Sequence, residues 1–175
     1  MISTADRVLD PGTVDALYEV YLSAFEPLRM EAAARHLLTF AEFSAEMVDE
    51  RIEKLIVWDE NTMPVGLATL TQDLSAIPWI SPEYYSSRYA DAARRGAIFY
   101  LGYILVAQSG RRSSALLTLT DKINRRLYDA KGVLGFDLCG LNDREGIGRL
   151  ALKLLGASND IKLVDTQFYY AADYQ

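Results

Sequence analysis

The chain has 175 residues, half of them hydrophobic and 24% charged, a balance that supports a buried core and excludes a wholly disordered chain. Its 18 basic residues stand against 24 acidic ones, and the formal net charge of −6 excludes a generally basic nucleic-acid binder. One cysteine, Cys139, excludes an internal disulfide, and one histidine, His36, excludes any site that needs two. The N-terminal residues carry no basic-then-apolar secretory pattern. The apolar run Ile98 to Ala107 is far shorter than the ~20 residues of a membrane span. The expectation is a cytoplasmic protein with no membrane and no nucleic-acid partner.

In chain order, a short strand is expected at Arg7 to Leu9, ended by Pro11-Gly12. Thr13 offers a cap for a helix carrying Val14, Leu17, Val20, Tyr21 and Ala24, which stops near Pro27. A second helix is expected over Met30 to Leu38, and a third from Thr39 or Ser44 with Phe43, Met47 and Ile52 on one side. Leu55 to Trp58 and Pro64 to Thr71, joined by Asp59-Glu60-Asn61, read as an antiparallel hairpin. Residues 72–96 form an aromatic-rich insertion holding Pro78, Trp79, Tyr84, Tyr85 and Tyr89. A buried strand at Ile98 to Val106 then feeds a helix at about Ser114 to Ala130. A strand at Val133 to Leu141, a helix at about Asp143 to Leu155 and a last strand at Lys162 to Ala171 complete the order. A hairpin together with a crossover gives an α/β (α+β) class, a mixed, mostly antiparallel sheet flanked by helices.

The segment richest in chemistry is Tyr103 to Leu117, where a strand passes through Gln108, Ser109, Gly110, Arg111 and Arg112 into a helix. Helix N-termini present unpaired N–H groups and a positive dipole end, so they accept phosphate. Arg111 and Arg112 add charge-assisted donors, while Gly110, Ser113 and Ser114 are small enough for close approach. The plainer reading is a capped helix start with two solvated arginines.

This loop and the order of elements resemble the GNAT superfamily of acyl-CoA-dependent N-acyltransferases, in which the fourth strand ends in V-x-P-x-x-R-G-x-G-x-G/A. With Val106 on the motif valine, Arg111 takes its arginine, Arg112 its first glycine and Ser114 its central glycine; Gln108 stands at the proline and Leu116 at the final Gly/Ala. The arginine matches and no motif glycine does. A register starting from Gln108 as the Q/R residue puts Arg111 at the central glycine. The resemblance spans nearly the whole chain, as one GNAT-like domain over residues 1–175. It extends to Leu141-Asn142, where family members often carry an Asn near the cofactor thiol, and to Gly156, four residues before which Leu152 replaces the family's tyrosine acid.

What the resemblance implies is direct transfer from acetyl-CoA or another acyl-CoA, as co-substrate, to an amine of a small molecule or peptide. The pyrophosphate would rest on Gly110, Arg111, Arg112, Ser113, Ser114 and Ala115, the pantetheine arm on the strand edge at Ile104 to Val106, and the thiol end near Asn142. The catalytic residues stay open: Glu83, Asp73 and Asp165 lie in plausible places and Tyr103 on the key strand, each more often a surface charge or packing residue. Trp79, Tyr84, Tyr103, Gln167 and Tyr169 are the candidate acceptor-pocket residues, with the aromatic insertion read as a lid, a buried loop or a homodimer interface. The alternative is a catalytically inactive ligand-binding or dimerisation module of the same fold. The Arg144-Glu-Gly146-Ile-Gly148-Arg149 segment reads as a glycine-containing helix start rather than a P-loop. His36 and Cys139 read as packing or surface residues, and no metal-ligand spacing stands out.

Overall fold

A computed structural model of the chain describes residues 2–34, 37–107, 112–155 and 161–173, without the side chains of Arg112, Ser113 and Leu152. Its centre is a five-stranded sheet of order β1-β2-β3-β4-β5: Ile2–Asp6, Ile52–Trp58, Pro64–Thr71, Ile98–Val106 and Val133–Phe136. The first four strands pair antiparallel and β5 joins β4 in parallel. The expected mixed sheet flanked by helices is the observed class.

The first strand lies earlier than expected, and Arg7 to Leu9 are the approach to a helix. Leu9 is buried there, its N–H donating to the Met47 carbonyl at 3.3 Å. Helix α1, Pro11–Phe25, is capped by Asp10 rather than Thr13: the Asp10 carboxylate accepts from the Thr13 N–H, and Pro11, which has no N–H to leave orphaned, fills the first turn. Its Val14, Leu17 and Tyr21 recur at the helical period and are buried.

The helix expected over Met30 to Leu38 does not form among the described residues; 30–34 are turns with no buried side chain. A helix that short needs a buried face, and residues 30–34 supply none, while Leu37 and Leu38 reach the core cluster around α1 as an irregular segment. The tyrosines of α1 hold the following segment instead, Tyr18 donating to the Leu38 carbonyl and the Leu38 N–H donating to the Tyr21 hydroxyl. Helix α2, Phe40–Val48, opens with a capping box between Thr39 and Glu42 and buries Phe43 and Met47.

Helices α1 and α2 cover one face of the sheet, against Ile56, Leu67 and Leu105. The other face, with Leu55, Val57, Ala68, Leu70, Phe99 and Leu101, packs on Ala115, Leu119 and Ile123 of α5, Arg112–Ala130. The insertion folds into a 3-10 turn at Leu74–Ala76 and two short helices, α3 (Pro82–Arg88) and α4 (Ala90–Arg94). They bury Leu74, Ile77, Tyr85 and Ala92 against Ile98 and Tyr100 of β4.

The C-terminal third departs from expectation. Strand β5 stops at Phe136, and the single helix expected from Asp143 is two, α6 (Gly140–Arg144) and α7 (Ile147–Leu155). They part at Gly146, whose φ of +88° suits glycine and not an L side chain in a continuing helix. The last expected strand is absent: residues 161–173 hold no strand, and Leu163, Phe168 and Tyr170 are 86%, 70% and 91% exposed. Their alternation has no sheet face to bury against.

Candidate functional site

Strand β4 carries one residue more than its partner. Thr69 pairs with Tyr103 and Leu70 with Leu101, so Gly102 is the bulged residue. The side-chain period of a strand is two, so this extra residue inverts the facing of everything after it. Phe99 and Leu101 face α5; Tyr103 and Leu105 face α1 and α2. Glycine is required by contact: a Cβ at residue 102 would stand 2.6 Å from the Thr69 hydroxyl oxygen. That oxygen already accepts the Tyr103 N–H at 3.3 Å.

At the same level the sheet opens. Strand β5 pairs with β4 only from Ile98 to Leu101, leaving the β4 edge from Gly102 to Val106 without a β5 partner. Ile104 and Val106 lie on this unpaired stretch, with side chains on the α5 face.

Beside the bulge, α2 brings in Glu46. Burial pushes its carboxyl up to about 7, a rise lessened by the neighbouring Tyr103 phenol, Lys54 ammonium and Thr69 hydroxyl. Tyr103, on β4, has a fully buried hydroxyl with no hydrogen-bond partner. Burial first, and the adjacent Glu46 second, raise that phenol well above its ordinary value, so it keeps its proton. The register places Lys54 opposite Thr69 and Thr69 opposite Tyr103, a polar row across three strands. Lys54 is wholly buried and its ammonium donates to the carbonyls of Arg7 and Asp49 at 2.6 and 2.7 Å. Burial brings it down to about 8.

Sequence reading did not find Glu46. The signal was there: in α2 it stands three residues after Phe43 and one before Met47, a carboxyl at the margin of an apolar stripe.

Glu46, Gly102 and Tyr103 line a cleft of about 2330 Å³ that continues toward the aromatic insertion. At that end Asp137, just past β5, accepts from both the Tyr100 hydroxyl at 2.7 Å and the Trp79 indole N–H at 3.1 Å through one oxygen, Oδ1. Tyr100 is buried, and burial together with this acceptor drives its phenol far up. The Tyr84 hydroxyl donates to the Val164 carbonyl at 3.1 Å, tying α3 to the C-terminal segment.

The five residues read as acceptor-pocket candidates, Trp79, Tyr84, Tyr103, Gln167 and Tyr169, all line this cleft, as does Asp165. Glu83 and Asp73 do not: Glu83 accepts from Ser81, and Asp73 caps the 3-10 turn through Ser75. Of the cofactor candidates, Ala115 is buried in the α5 core, Ser114 is exposed in the first turn of α5, and Asn142 sits in α6. Gly110 and Arg111 lie outside the described residues, as do the side chains of Arg112 and Ser113 that begin α5. His36, Gly156 and the Leu152 side chain also lie outside them. Cys139 is buried and begins α6. Among the described residues, no group of three or more His, Cys, Asp or Glu could hold a metal, and no helix is long and apolar enough to cross a membrane.

No family model matches the sequence, and no curated protein matches it significantly. Solved structures do match in shape. A probable acetyltransferase aligns over 99% of this chain and 100% of its own, with a TM-score of 0.61 at 12% identity. An aminoglycoside antibiotic 6'-N-acetyltransferase from Acinetobacter baumannii aligns over 97% and 100%, with a TM-score of 0.55 at 10% identity. The corresponding enzyme from Acinetobacter haemolyticus aligns over 98% and 100%, at 0.54 and 12%. The fold is that of the GNAT-type acetyltransferases.

Proposed function

We propose that the protein is an acyl-CoA-dependent N-acyltransferase that passes an acyl group, acetyl in the first instance, directly to the amine of a small molecule or peptide. The observation that carries this reading is Glu46: a carboxyl raised to about 7, beside the bulge where β4 parts from β5. A base of that strength is half ionised near neutrality, where general-base catalysis is most effective. The aminoglycoside acetyltransferases of the same fold support amine acceptors as a class.

The β4 edge from Gly102 to Val106 suits the arm of an acyl-CoA, because backbone groups that β5 does not take remain there to pair with an extended amide chain. The thioester, when bound, supplies the activated acyl group. Glu46 takes a proton from the incoming ammonium and frees its lone pair. Alternate N–H groups along the unpaired β4 edge are donors for a developing oxyanion. Tyr103 holds a proton at Oη, buried and unbonded, in a chain where Leu152 stands at the family's usual acid position. The α5 N-terminus, with Arg111 and Arg112 before and within its first turn, is the proposed pyrophosphate seat.

Acetyl-CoA and longer acyl-CoAs at millimolar concentration should raise the thermal midpoint, and thiol release should follow on adding an amine panel. No stabilisation by any of them overturns the co-substrate reading. Stabilisation without turnover across a broad panel gives instead the inactive ligand-binding module.

A further inference from the structure

The cleft has two chemically different ends on one strand, and the end away from Glu46 has no part in proton transfer. There Trp79 is 56% exposed although its indole N–H is fixed on Asp137, so the ring is held with an open face. Tyr84 and Tyr85 meet edge to face at 5.6 Å, and Tyr85 meets Tyr100 the same way at 6.0 Å, which makes a wall of rings beside it. Two carboxylates, Asp137 and Asp165, complete this end. Both act on Tyr85: burial raises its phenol first, and the negative groups around it, Asp137 and Asp165 among them, raise it further. The cleft is also lined by Arg29, Arg125, Lys131, Arg144, Arg149 and Lys162, with Lys162 three residues before Asp165 on the same segment.

Ring faces and carboxylates together attract an organic cation: the ring quadrupole presents negative charge on its face, Asp137 is positioned by its two donors, and Asp165 adds a second carboxylate from the C-terminal segment. We infer that this aromatic and acidic end is a second cation subsite, and that the acceptor is a dication with one amine at Glu46 and the other charged group between Trp79, Tyr84, Asp137 and Asp165. The inference rests on the acyltransferase reading and narrows its acceptor. The bulge fixes the spacing. Tyr100, which bonds Asp137, and Tyr103, beside Glu46, fall on the same face of β4 because of Gly102, three positions apart. Because the bulge sets them opposite Thr71 and Thr69, two β3 positions apart, that is about 7 Å of strand.

The test compares an α,ω-diaminooctane with the matching ω-amino-octanol, equal in length and differing in the distal charge. The expected result is a KM about tenfold lower for the diamine, with the preference falling toward one in the D137N/D165N double variant. Equal KM values for the two probes overturn the subsite while leaving the acyltransferase reading intact. If neither probe is acylated although other amines are, the dication assignment is wrong. Binding is read separately from turnover, through Trp79 fluorescence, with Trp58 the only other tryptophan and W79F the control. A saturable response to the diamine, at least several-fold tighter than to the amino alcohol and weakened in D137N/D165N, supports the subsite even for an inactive protein. Indistinguishable titrations overturn it.

Discussion

Two carboxyl groups stand in one cleft under opposite conditions. Glu46 comes from a helix, is partly buried, and faces the buried Tyr103 phenol; Asp137 comes from a loop after a strand, is exposed, and holds two donors on one oxygen. At Glu46 desolvation is the leading influence and is only partly offset by Tyr103, Lys54 and Thr69, which brings the group to about 7. At the other end Tyr100 is the group whose ionisation is suppressed, by burial first and by its bond to Asp137 second. The lesson is that environment rather than residue type assigns a carboxyl to moving a proton or to holding a charge.

The comparison breaks most sharply at Glu46. E46Q should lower kcat/KM by about 100-fold or more, measured as thiol release, and should remove the limb on which wild-type activity rises through about pH 7. The groups facing Glu46 are the neutral Tyr103 and Thr69 hydroxyls and the charged Lys54 and Asp49, so this limb also reports the charges of the last two.

The same substitution should raise stability at alkaline pH. Folding lifts the Glu46 carboxyl from its ordinary 4.5 to about 7, so the folded chain holds a proton that the unfolded chain releases. Stability is therefore lost as pH climbs from about 4.5 through 7, by up to about 3 kcal/mol, and denaturant titrations of E46Q at about pH 5 and 8 should show that loss removed. An unchanged pH dependence in the variant would remove Glu46 as the strained group.

At the other end the effects are smaller and separable. Y100F deletes a buried donor to a carboxylate without changing the ring, and should cost about 1–2 kcal/mol in urea denaturation. W79F deletes the second donor to the same oxygen from a half-exposed ring, and should stay within about 0.5 kcal/mol. If the two variants cost the same, burial does not distinguish the two bonds.

Much of the fold was legible because it rests on local patterns. The Phe43 and Met47 spacing, the Asp59-Glu60-Asn61 turn between two apolar runs and the long apolar strand at Ile98 each declared an element within a few residues. The failures are where tertiary partners decide. Met30 to Leu38 has helical composition, but its described residues 30–34 bury no side chain while Leu37 and Leu38 pack on the α1 and α2 cluster outside any helix, and Lys162 to Ala171 alternates like a strand but meets no edge. The aromatic cleft residues could be named from their clustering, whereas Glu46 became a candidate only once α2 was laid over the bulge. That juxtaposition depends on pairing between β3 and β4, which no short window contains.

Gly102 has an evolutionary consequence. As a single-residue phase shift it couples the two ends of the cleft: shortening β4 by that residue would swap Tyr103 and Leu105 for Ile104 and Val106 on the inner side in one event. Side chains at either end can be exchanged one at a time, so acceptor preference can drift. The length of β4 cannot, because every intermediate would lose its phenol and its core together. Sequences that share this chemistry should therefore vary at Trp79 and Tyr84 long before they gain or lose a residue between Leu101 and Tyr103.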